Sequence, residues 1–150
     1  METPYDSNDK LDYYLDDFSV TIPNNNMAGD ATFNQGVGPW VPFEGHGKIE
    51  LVKPGRGGEN DSCLKVSERT ENWHGAGIVF GDKMIPGHTY NLKAYVKYDV
   101  ATPAQQEFSF TMKGFEGDNT EPSYERMASV TAETGEWTEV TGKWTMPKDA

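Results

Sequence analysis

The sequence predicts an antiparallel all-β domain spanning all 150 residues. Short segments in which apolar and polar residues alternate recur along the chain. Turns rich in glycine, proline and asparagine separate them at roughly the 8–12-residue spacing typical of a β-sandwich. Helical periodicity, in contrast, is hard to find. We therefore expect two antiparallel sheets packed face to face around one core.

One predicted strand, residues 89–98, shows the alternation most clearly. Its apolar face carries Tyr90, Leu92, Ala94, Val96 and Tyr98. Phe108, Phe110 and Met112 alternate with polar residues in the same way further along the chain. Such strands belong to sheets with one buried face. The predicted strands are residues 11–21, 48–53, 62–67, 77–80, 89–98, 107–113, 124–130 and 137–145.

The charge balance narrows the possible partners. Thirteen basic and 24 acidic side chains give a net charge of -11, which repels nucleic acid and anionic membrane surfaces. Neutral polymers and cations remain as ligands. The sequence has no run of 18 apolar residues and begins with a polar segment, so we expect neither a membrane helix nor a signal peptide within it. Any export signal is expected in a longer parent chain.

Two kinds of catalysis are not supported by the sequence. Cys63 is the single cysteine, and we expect it to be a small buried apolar side chain. A nucleophilic thiol needs a base, and the histidines lie in glycine-flanked turns without catalytic spacing. A glycosidase needs two carboxylates across a cleft, and no acidic residue lies in a segment resembling a glycosidase motif. We therefore expect a protein that is not an enzyme.

Trp73 is the most informative single residue. It lies in a polar loop, between Asn72 and His74, where a tryptophan is unexpected unless it contacts a ligand or packs in the core. Core packing remains the alternative to ligand stacking for Trp73. An exposed indole can stack against the apolar face of a sugar ring, while neighbouring polar groups bond the hydroxyls. A planar aromatic platform suits a neutral, extended polysaccharide. We expect the remaining tryptophans to be core residues: Trp40, Trp137 and Trp144.

The Trp73 segment carries a family resemblance. The turn Arg69-Thr70-x-x-Trp73-x-Gly75, followed by a Pro-Gly-x-x-Tyr turn at residues 86–90 and an alternating strand, resembles the family 22 carbohydrate-binding modules. These modules bind xylan, and families 4 and 9 are more loosely similar. The resemblance implies a jelly-roll sandwich that binds β-1,4-xylan, or secondly mixed-linkage β-glucan. It also implies an extracellular protein that targets an attached glycoside hydrolase to plant cell walls.

The resemblance also implies a ligand site. Trp73 and Tyr124 would stack on sugar rings, and Glu2 would bond sugar hydroxyls. Arg69 would mainly brace the Trp73 loop and could also reach the sugar. Phe43 stands near a position where the family can carry an arginine, and it would supply an aromatic contact instead. Core packing remains an alternative for Tyr124, and a solvated, frayed charge remains one for Glu2.

The order of segments looks circularly permuted relative to the family. Residues 1–20 match the family's usual C-terminal strand, residues 21–32 look like a linker, and residues 33–150 form the main body. A short aromatic-bearing strand of the family has no counterpart here, which leaves the oligomeric state open. A fragment that straddles two tandem modules is the alternative explanation of the order.

A structural calcium ion is the last implication of the resemblance. Asp16 matches an aspartate that binds calcium in the family, and Asn34 stands where an acidic ligand is usual. Carboxylate, amide and backbone oxygens suit this hard cation. The alternative function is a calcium-dependent adhesion or interaction module on the same sandwich. Such a module would keep its binding after the loss of Trp73.

Overall fold

The computed structural model of the protein describes residues 1, 11–22, 25–26, 32–80, 84–101, 103–114 and 121–148. Within these ranges it contains ten strands and one 3-10 helix, η1 (Phe43–Gly45). The strands are β1 (Tyr13–Ile22), β2 (Asn25–Asn26), β3 (Trp40–Pro42), β4 (Lys48–Val52), β5 (Cys63–Ser67), β6 (Ala76–Ile78), β7 (Thr89–Lys97), β8 (Gln105–Gly114), β9 (Ser123–Glu133) and β10 (Thr138–Thr145). No helix in the described ranges is long and apolar enough to cross a bilayer.

The strands form one large sheet and two smaller pairs, and every pairing is antiparallel, as the sequence predicts. The large sheet has the order β10-β7-β1-β5-β4, and β2 pairs with the end of β1. The smaller sheets are β3-β6 and β8-β9. The first long strand of the chain therefore lies in the middle of the large sheet. The circular permutation itself stays a prediction.

Each predicted strand is present, with ends that differ by a few residues. The sequence analysis missed β3, because three residues are too short to show an alternation. It also missed β2, which lies inside the predicted linker and pairs Asn25 with Ile22 and Asn26 with Thr21. Residues 23–24 and 27–31 of that linker lie outside the described residues.

The core lies between the large sheet and the smaller sheets. The apolar face predicted for β7 is buried, with every member at most 3% exposed. Rings of β1 contact rings of β8 across the interface: Tyr13 lies 5.3 Å from Phe108, and Phe18 lies 5.1 Å from Phe110, between ring centroids. Such pairs are favourable beyond their buried area. The predicted β-sandwich is confirmed.

The tryptophans divide between the core and the surface. Trp40 and Trp144 are 2% and 8% exposed, as predicted for core residues. The expectation that Trp137 packs inside is wrong, because this residue is only half-buried. Thr138 pairs with the inward-facing Val96, so the residue before it falls beside the outward-facing Lys97. The Lys97 Nζ atom accordingly lies 5.9 Å from the centroid of the Trp137 ring.

Cys63 is fully buried, as predicted. Its thiol donates a hydrogen bond to the carbonyl oxygen of Pro54 at 3.6 Å. Burial raises the pKa of this thiol to about 12. Because the thiolate is the reactive form, Cys63 is unreactive at neutral pH.

Close packing of the two layers predicts the effect of a glycine substitution. A Cβ atom at Gly142 would collide with the carbonyl oxygen of Met127 and lie 2.7 Å from the Ala128 Cβ atom. We expect Gly142→Ala to lower the free energy of unfolding by about 1–3 kcal/mol, the usual cost of overpacking. Chemical denaturation measures this change.

Gly114→Ala is the matched control, because a Cβ at Gly114 would meet no atom within 4 Å. We expect its unfolding midpoint to stay close to that of the parent. Equal stability of the two variants would contradict the packing described here.

Candidate ligand site and candidate cation site

Arg69 fixes the loop that carries Trp73. The arginine is 5% exposed, and its guanidinium donates to the carbonyl oxygens of His74 at 2.6 Å and Asn72 at 2.9 Å, on either side of the tryptophan. It also donates to the carbonyl of Leu11 at 2.9 Å. A planar guanidinium with several fixed donors is well suited to hold backbone oxygens in one geometry. The structure thus shows the bracing role of Arg69, whereas its contact with a sugar stays a prediction.

His74 supports the same loop from inside. It is 5% exposed, and its Nδ1 atom accepts a hydrogen bond from the Thr70 backbone N–H at 3.1 Å. Its ring stacks on the exposed ring of His46, with centroids 4.7 Å apart and planes 2° from parallel. Burial, and next the neighbouring His46, lower the pKa of His74. The histidine is therefore a neutral packing group at neutral pH.

The half-buried Trp73 indole is surrounded by aromatic rings at steep angles. Its centroid lies 4.3 Å from the His74 ring, 5.1 Å from the His46 ring and 6.3 Å from the Phe43 ring. All three interplanar angles are 84–85°. Among the ring contacts described for this loop, none stacks parallel on the indole. Parallel stacking is the geometry that a sugar ring uses. We call Phe43, His46, Trp73 and His74 the aromatic cluster.

An ion pair connects the aromatic cluster to β8. Glu44, in η1, has a positive φ of 53°, and its carboxylate pairs with the ammonium group of Lys113. The hydrogen bond from Lys113 to Glu44 raises the pKa of the lysine. The same ammonium lies 5.7 Å from the Phe43 ring centroid. Charged hydrogen-bonding groups thus stand beside the aromatic surface.

Tyr124 lies next to this ion pair. It is directly opposite Lys113 in the β8-β9 ladder, and its side chain is 61% exposed. Cross-strand neighbours have Cβ atoms about 5 Å apart. The structure therefore brings Tyr124 to the side of Lys113, which contacts Phe43 of the aromatic cluster. Its ring is accessible to a ligand from solvent.

Glu2, the remaining predicted ligand residue, lies outside the described residues. The residue before it is placed, because the Met1 ammonium donates to the carbonyl of Ala76 at 3.0 Å, and the Tyr13 hydroxyl donates to the carbonyl of Met1 at 2.8 Å. Gly75 has no room for a side chain here, since a Cβ would collide with the Met1 carbonyl. Residue 1 therefore lies beside the end of the Trp73 loop.

Sequence reasoning missed the polar members of this site. His46 and His74 were considered only as catalytic bases, and Glu44 and Lys113 gave no signal at all. The adjacency of His74 to Trp73 was the one available clue. The pairing of Glu44 with Lys113 spans 69 residues of sequence and could not be read from spacing.

The predicted calcium ligands meet in a separate cluster. Asp16 is fully buried, and its carboxylate oxygens accept hydrogen bonds from the backbone N–H groups of Asp17 at 2.9 Å and Arg56 at 3.1 Å. Its carboxyl group is also hydrogen-bonded to Asp61, and Asp61 to the side chain of Asn34. Burial raises the pKa of Asp16 to about 7. We call Asp16, Asn34 and Asp61 the carboxylate cluster.

The carboxylate cluster has a limited donor set. It holds two carboxyl groups and one amide, and no three histidine, cysteine or acidic side chains of the described residues form a metal-binding group. Asn34 already accepts a hydrogen bond from the backbone N–H of Ser62 at 2.9 Å. The sequence analysis did not foresee Asp61, which lies 45 residues after Asp16.

A family comparison identifies the class of protein. A family model described as a carbohydrate binding domain matches residues 25–150. The chain therefore belongs to this family of carbohydrate-binding domains. It is a non-catalytic binding module, as the sequence analysis predicts.

Comparisons with individual proteins narrow the family assignment further. The chain is similar to the CBM22-2 xylan-binding domain of Xyn10C from Paenibacillus barcinonensis, with a TM-score of 0.68, 25% identity, and coverage of 77% of this chain and 71% of that one. The resemblance to family 22 is thereby confirmed. Two curated relatives are endo-1,4-beta-xylanases A. That of Thermotoga neapolitana is 27% identical over 90% of this chain, and that of Thermoanaerobacterium saccharolyticum is 30% identical over 91%. The match spans only 13% and 12% of their lengths.

The lowered pKa of His74 predicts a pH-dependent stability. The unfolded chain takes up a proton on this histidine near its ordinary pKa of about 6.5, whereas the folded chain takes it up only at lower pH. The contribution of this histidine to stability is therefore full above pH 6.5 and falls as the pH is lowered. The raised pKa of Asp16 contributes with the opposite sign over the same range. The contribution of one proton has a slope of at most about 1.4 kcal/mol per pH unit. Denaturation of the parent and of His74→Asn between pH 7 and pH 5 measures it.

We expect the slope of His74→Asn, taken as the gain in stability per unit rise in pH, to be lower than that of the parent by up to about 1.4 kcal/mol. His88→Asn, which replaces an exposed histidine, should keep the slope of the parent. The parent and His74→Asn share all other titrating groups, including Asp16, so their difference isolates His74. Identical slopes for parent and His74→Asn would contradict the role given to its burial.

Proposed function

We propose that this module binds β-1,4-xylan and holds an attached glycoside hydrolase on plant cell-wall polysaccharide outside the cell. The solved relative is a xylan-binding domain, and the curated relatives are xylanases. The observation that carries the proposal is the half-buried Trp73 indole, on which none of the described rings stacks in parallel and whose loop backbone is held by the buried Arg69. A rigid platform loses little entropy on binding.

The chemistry of the site fits a neutral sugar chain. Trp73 and Tyr124 offer rings for stacking, and Phe43 widens the apolar surface. Glu44 and Lys113 offer an acceptor and donors for hydroxyl groups beside these rings, and Glu2 is proposed to add a second carboxylate. A net charge of -11 does not oppose a neutral polymer. Arg69 acts here as a positioning residue, because its donors are directed to backbone carbonyls.

Mixed-linkage β-glucan is the second proposed ligand. Stacking depends on the flat apolar face of a sugar ring rather than on its substituents. A groove of this kind can therefore accept another extended β-linked chain. The comparisons do not favour a calcium-dependent adhesion module that lacks polysaccharide binding.

We further propose that the carboxylate cluster holds a structural calcium ion. Two carboxyl groups within hydrogen-bond reach of each other share a proton, because both ionise at low cost only when a cation lies between them. The amide oxygen of Asn34 adds the hard oxygen that calcium prefers, and backbone carbonyls or water would complete the usual six to eight ligands. Bound there, the ion would join β1 to the segments that carry Asn34 and Asp61.

The stacking proposal is tested by removing the indole. We expect the parent to be retarded in affinity electrophoresis through soluble xylan, and Trp73→Ala to migrate as in a gel without polysaccharide. Truncation of an anchoring tryptophan commonly costs about 2 kcal/mol or more, which is roughly a 30-fold loss of affinity or greater.

The matched control is Tyr95→Leu, which removes a ring from the opposite face of the sandwich and should leave the retardation unchanged. Normal migration of the parent in both xylan and β-glucan would overturn the polysaccharide assignment. Undiminished retardation of Trp73→Ala would remove Trp73 from the site.

The calcium proposal predicts a metal-dependent melting temperature. Calcium at 100 times its dissociation constant adds about 2.7 kcal/mol, which corresponds to roughly 5–10 °C in a domain of this size. Differential scanning calorimetry after exhaustive chelation, with and without added calcium, measures the shift. We expect Asp16→Asn to lose the shift and the exposed-site variant Asp12→Asn to keep it. Equal melting temperatures of the parent in both conditions would contradict the proposal.

A further inference from the structure

The outer face of the large sheet carries an unusual cross-strand row. Following the register from β4 to β7, Glu50 pairs with Lys65, Lys65 with Tyr14, and Tyr14 with Lys97. Trp137, immediately before β10, comes next to Lys97. The row therefore alternates lysine and aromatic side chains from Lys65 to Trp137, and Glu50 extends it beside Lys65. It faces away from the aromatic cluster that contains Trp73.

A groove of about 270 Å³ lies over part of this row. The charged and aromatic residues that line it are Tyr14, Lys53, Lys65, Lys97, Asp99 and Trp137. Sites for drug-sized ligands usually measure about 300–1,000 Å³, so this groove suits a single ring rather than a length of chain. One flank is formed by the segment that follows β4, which includes Lys53 and Pro54. The hydrogen bond from the Cys63 thiol to the Pro54 carbonyl holds this segment on β5.

The charge of the groove is opposite to that of the whole chain. Three lysines line it, and Asp99 is its only acidic lining residue among those that the structure describes. The Asp99 carboxylate lies 3.7 Å from the Lys97 ammonium and accepts a hydrogen bond from the Tyr14 hydroxyl. Lys53 and Lys65 make no ion pair within the described part of the chain.

Because dissolved salt screens distant charges, the charges close to the groove dominate the electrostatic potential inside it. The Debye length at physiological ionic strength is about 8 Å, so distant carboxylates contribute little inside the groove. An anion in the groove therefore responds to charges within about that distance rather than to the net charge of -11. These are the three lysines and the carboxylates of Asp99, of Glu50 opposite Lys65, and of Asp12, which acts on Tyr14.

The aromatic residues restrict the kind of anion. Trp137 and Tyr14 are half-buried, and Lys97 lies 5.9 Å from the Trp137 ring centroid. A small inorganic anion would use only the lysines and would leave the rings without a contact. A ring with one apolar face and one carboxylate would use both kinds of group.

We propose that this groove is a second carbohydrate site, which binds a uronic acid ring through contact with Trp137 and Tyr14 and through ion pairs from its carboxylate to Lys65 and Lys97. Acidic sugars of this kind occur as branches on xylan chains. The site extends the proposed function, because one module could bind a neutral backbone on one face and an acidic branch on the other. Its existence does not depend on the Trp73 site.

The test is a nuclear magnetic resonance titration that uses the side-chain N–H signals of the four tryptophans. The probe is a xylotriose that carries one glucuronic acid branch, and the matched probe is the same oligosaccharide after reduction of its carboxyl group. Trp137→Phe assigns the signal of that residue. A single small ring is expected to bind with a dissociation constant of roughly 1 mM or weaker, so the titration extends to about tenfold that value.

We expect the acidic probe to move the Trp137 signal, and the reduced probe to leave it in place. The movement should persist in Trp73→Ala, which separates this site from the proposed xylan site. Lys65→Gln with Lys97→Gln should weaken it about tenfold, because each exposed ion pair contributes about two- to fivefold. Lys143→Gln removes one positive charge from the same sheet face outside this groove and should have no effect.

Three results would overturn the proposal. They are a Trp137 signal that stays still up to the highest concentration, an equal movement with the reduced probe, and an equal movement with sodium sulfate, which would show a simple anion effect. Failure of the Trp73 signal to respond to neutral xylo-oligosaccharides would instead count against the proposed function and leave this inference standing.

Discussion

The buried guanidinium of Arg69 is the interaction on which the candidate xylan site depends. It joins three backbone carbonyls from two segments of the chain, and it lies 5.1 Å from the ring of Tyr13, a fully buried residue of the central strand. Tyr13 in turn packs against Phe108 of the opposite layer. A chain of contacts therefore runs from the core to the Trp73 loop. A charge buried this deeply is tolerated because its hydrogen bonds are satisfied.

The two faces of the sandwich differ in chemistry. On one face a half-buried indole and a second exposed ring lie beside the Glu44–Lys113 ion pair. On the other face lysines and aromatic rings alternate over part of the large sheet, from Lys65 to Trp137. The strand period of two places these groups, because alternate residues of every strand must face outward once the core is filled. An acidic protein can therefore carry a locally basic surface without losing its overall charge.

Several polar side chains are also buried inside the sandwich beside partners that explain their positions. The buried indole N–H of Trp40, in contrast, has no hydrogen-bond partner among the described residues. Asp16 lies among backbone N–H groups and a second carboxyl group, and the Trp144 indole donates to Glu125 at 2.8 Å. His74 is held neutral by burial against His46 and Thr70. These groups link loops to strands, so their hydrogen bonds specify how the loops lie on the sheets.

Alternation along single strands was enough to predict the fold class, the strands other than the short β2 and β3, and the buried face of β7, because it depends only on neighbouring residues. The polar loop around Trp73 was likewise visible, since a tryptophan among polar residues contradicts local core patterning. Tertiary structure alone decided that Trp137 lies outside, that Asp61 joins Asp16, and that Glu44 reaches Lys113. Each of these depends on strand register or on contacts between residues far apart in sequence, and a local pattern carries no information about either.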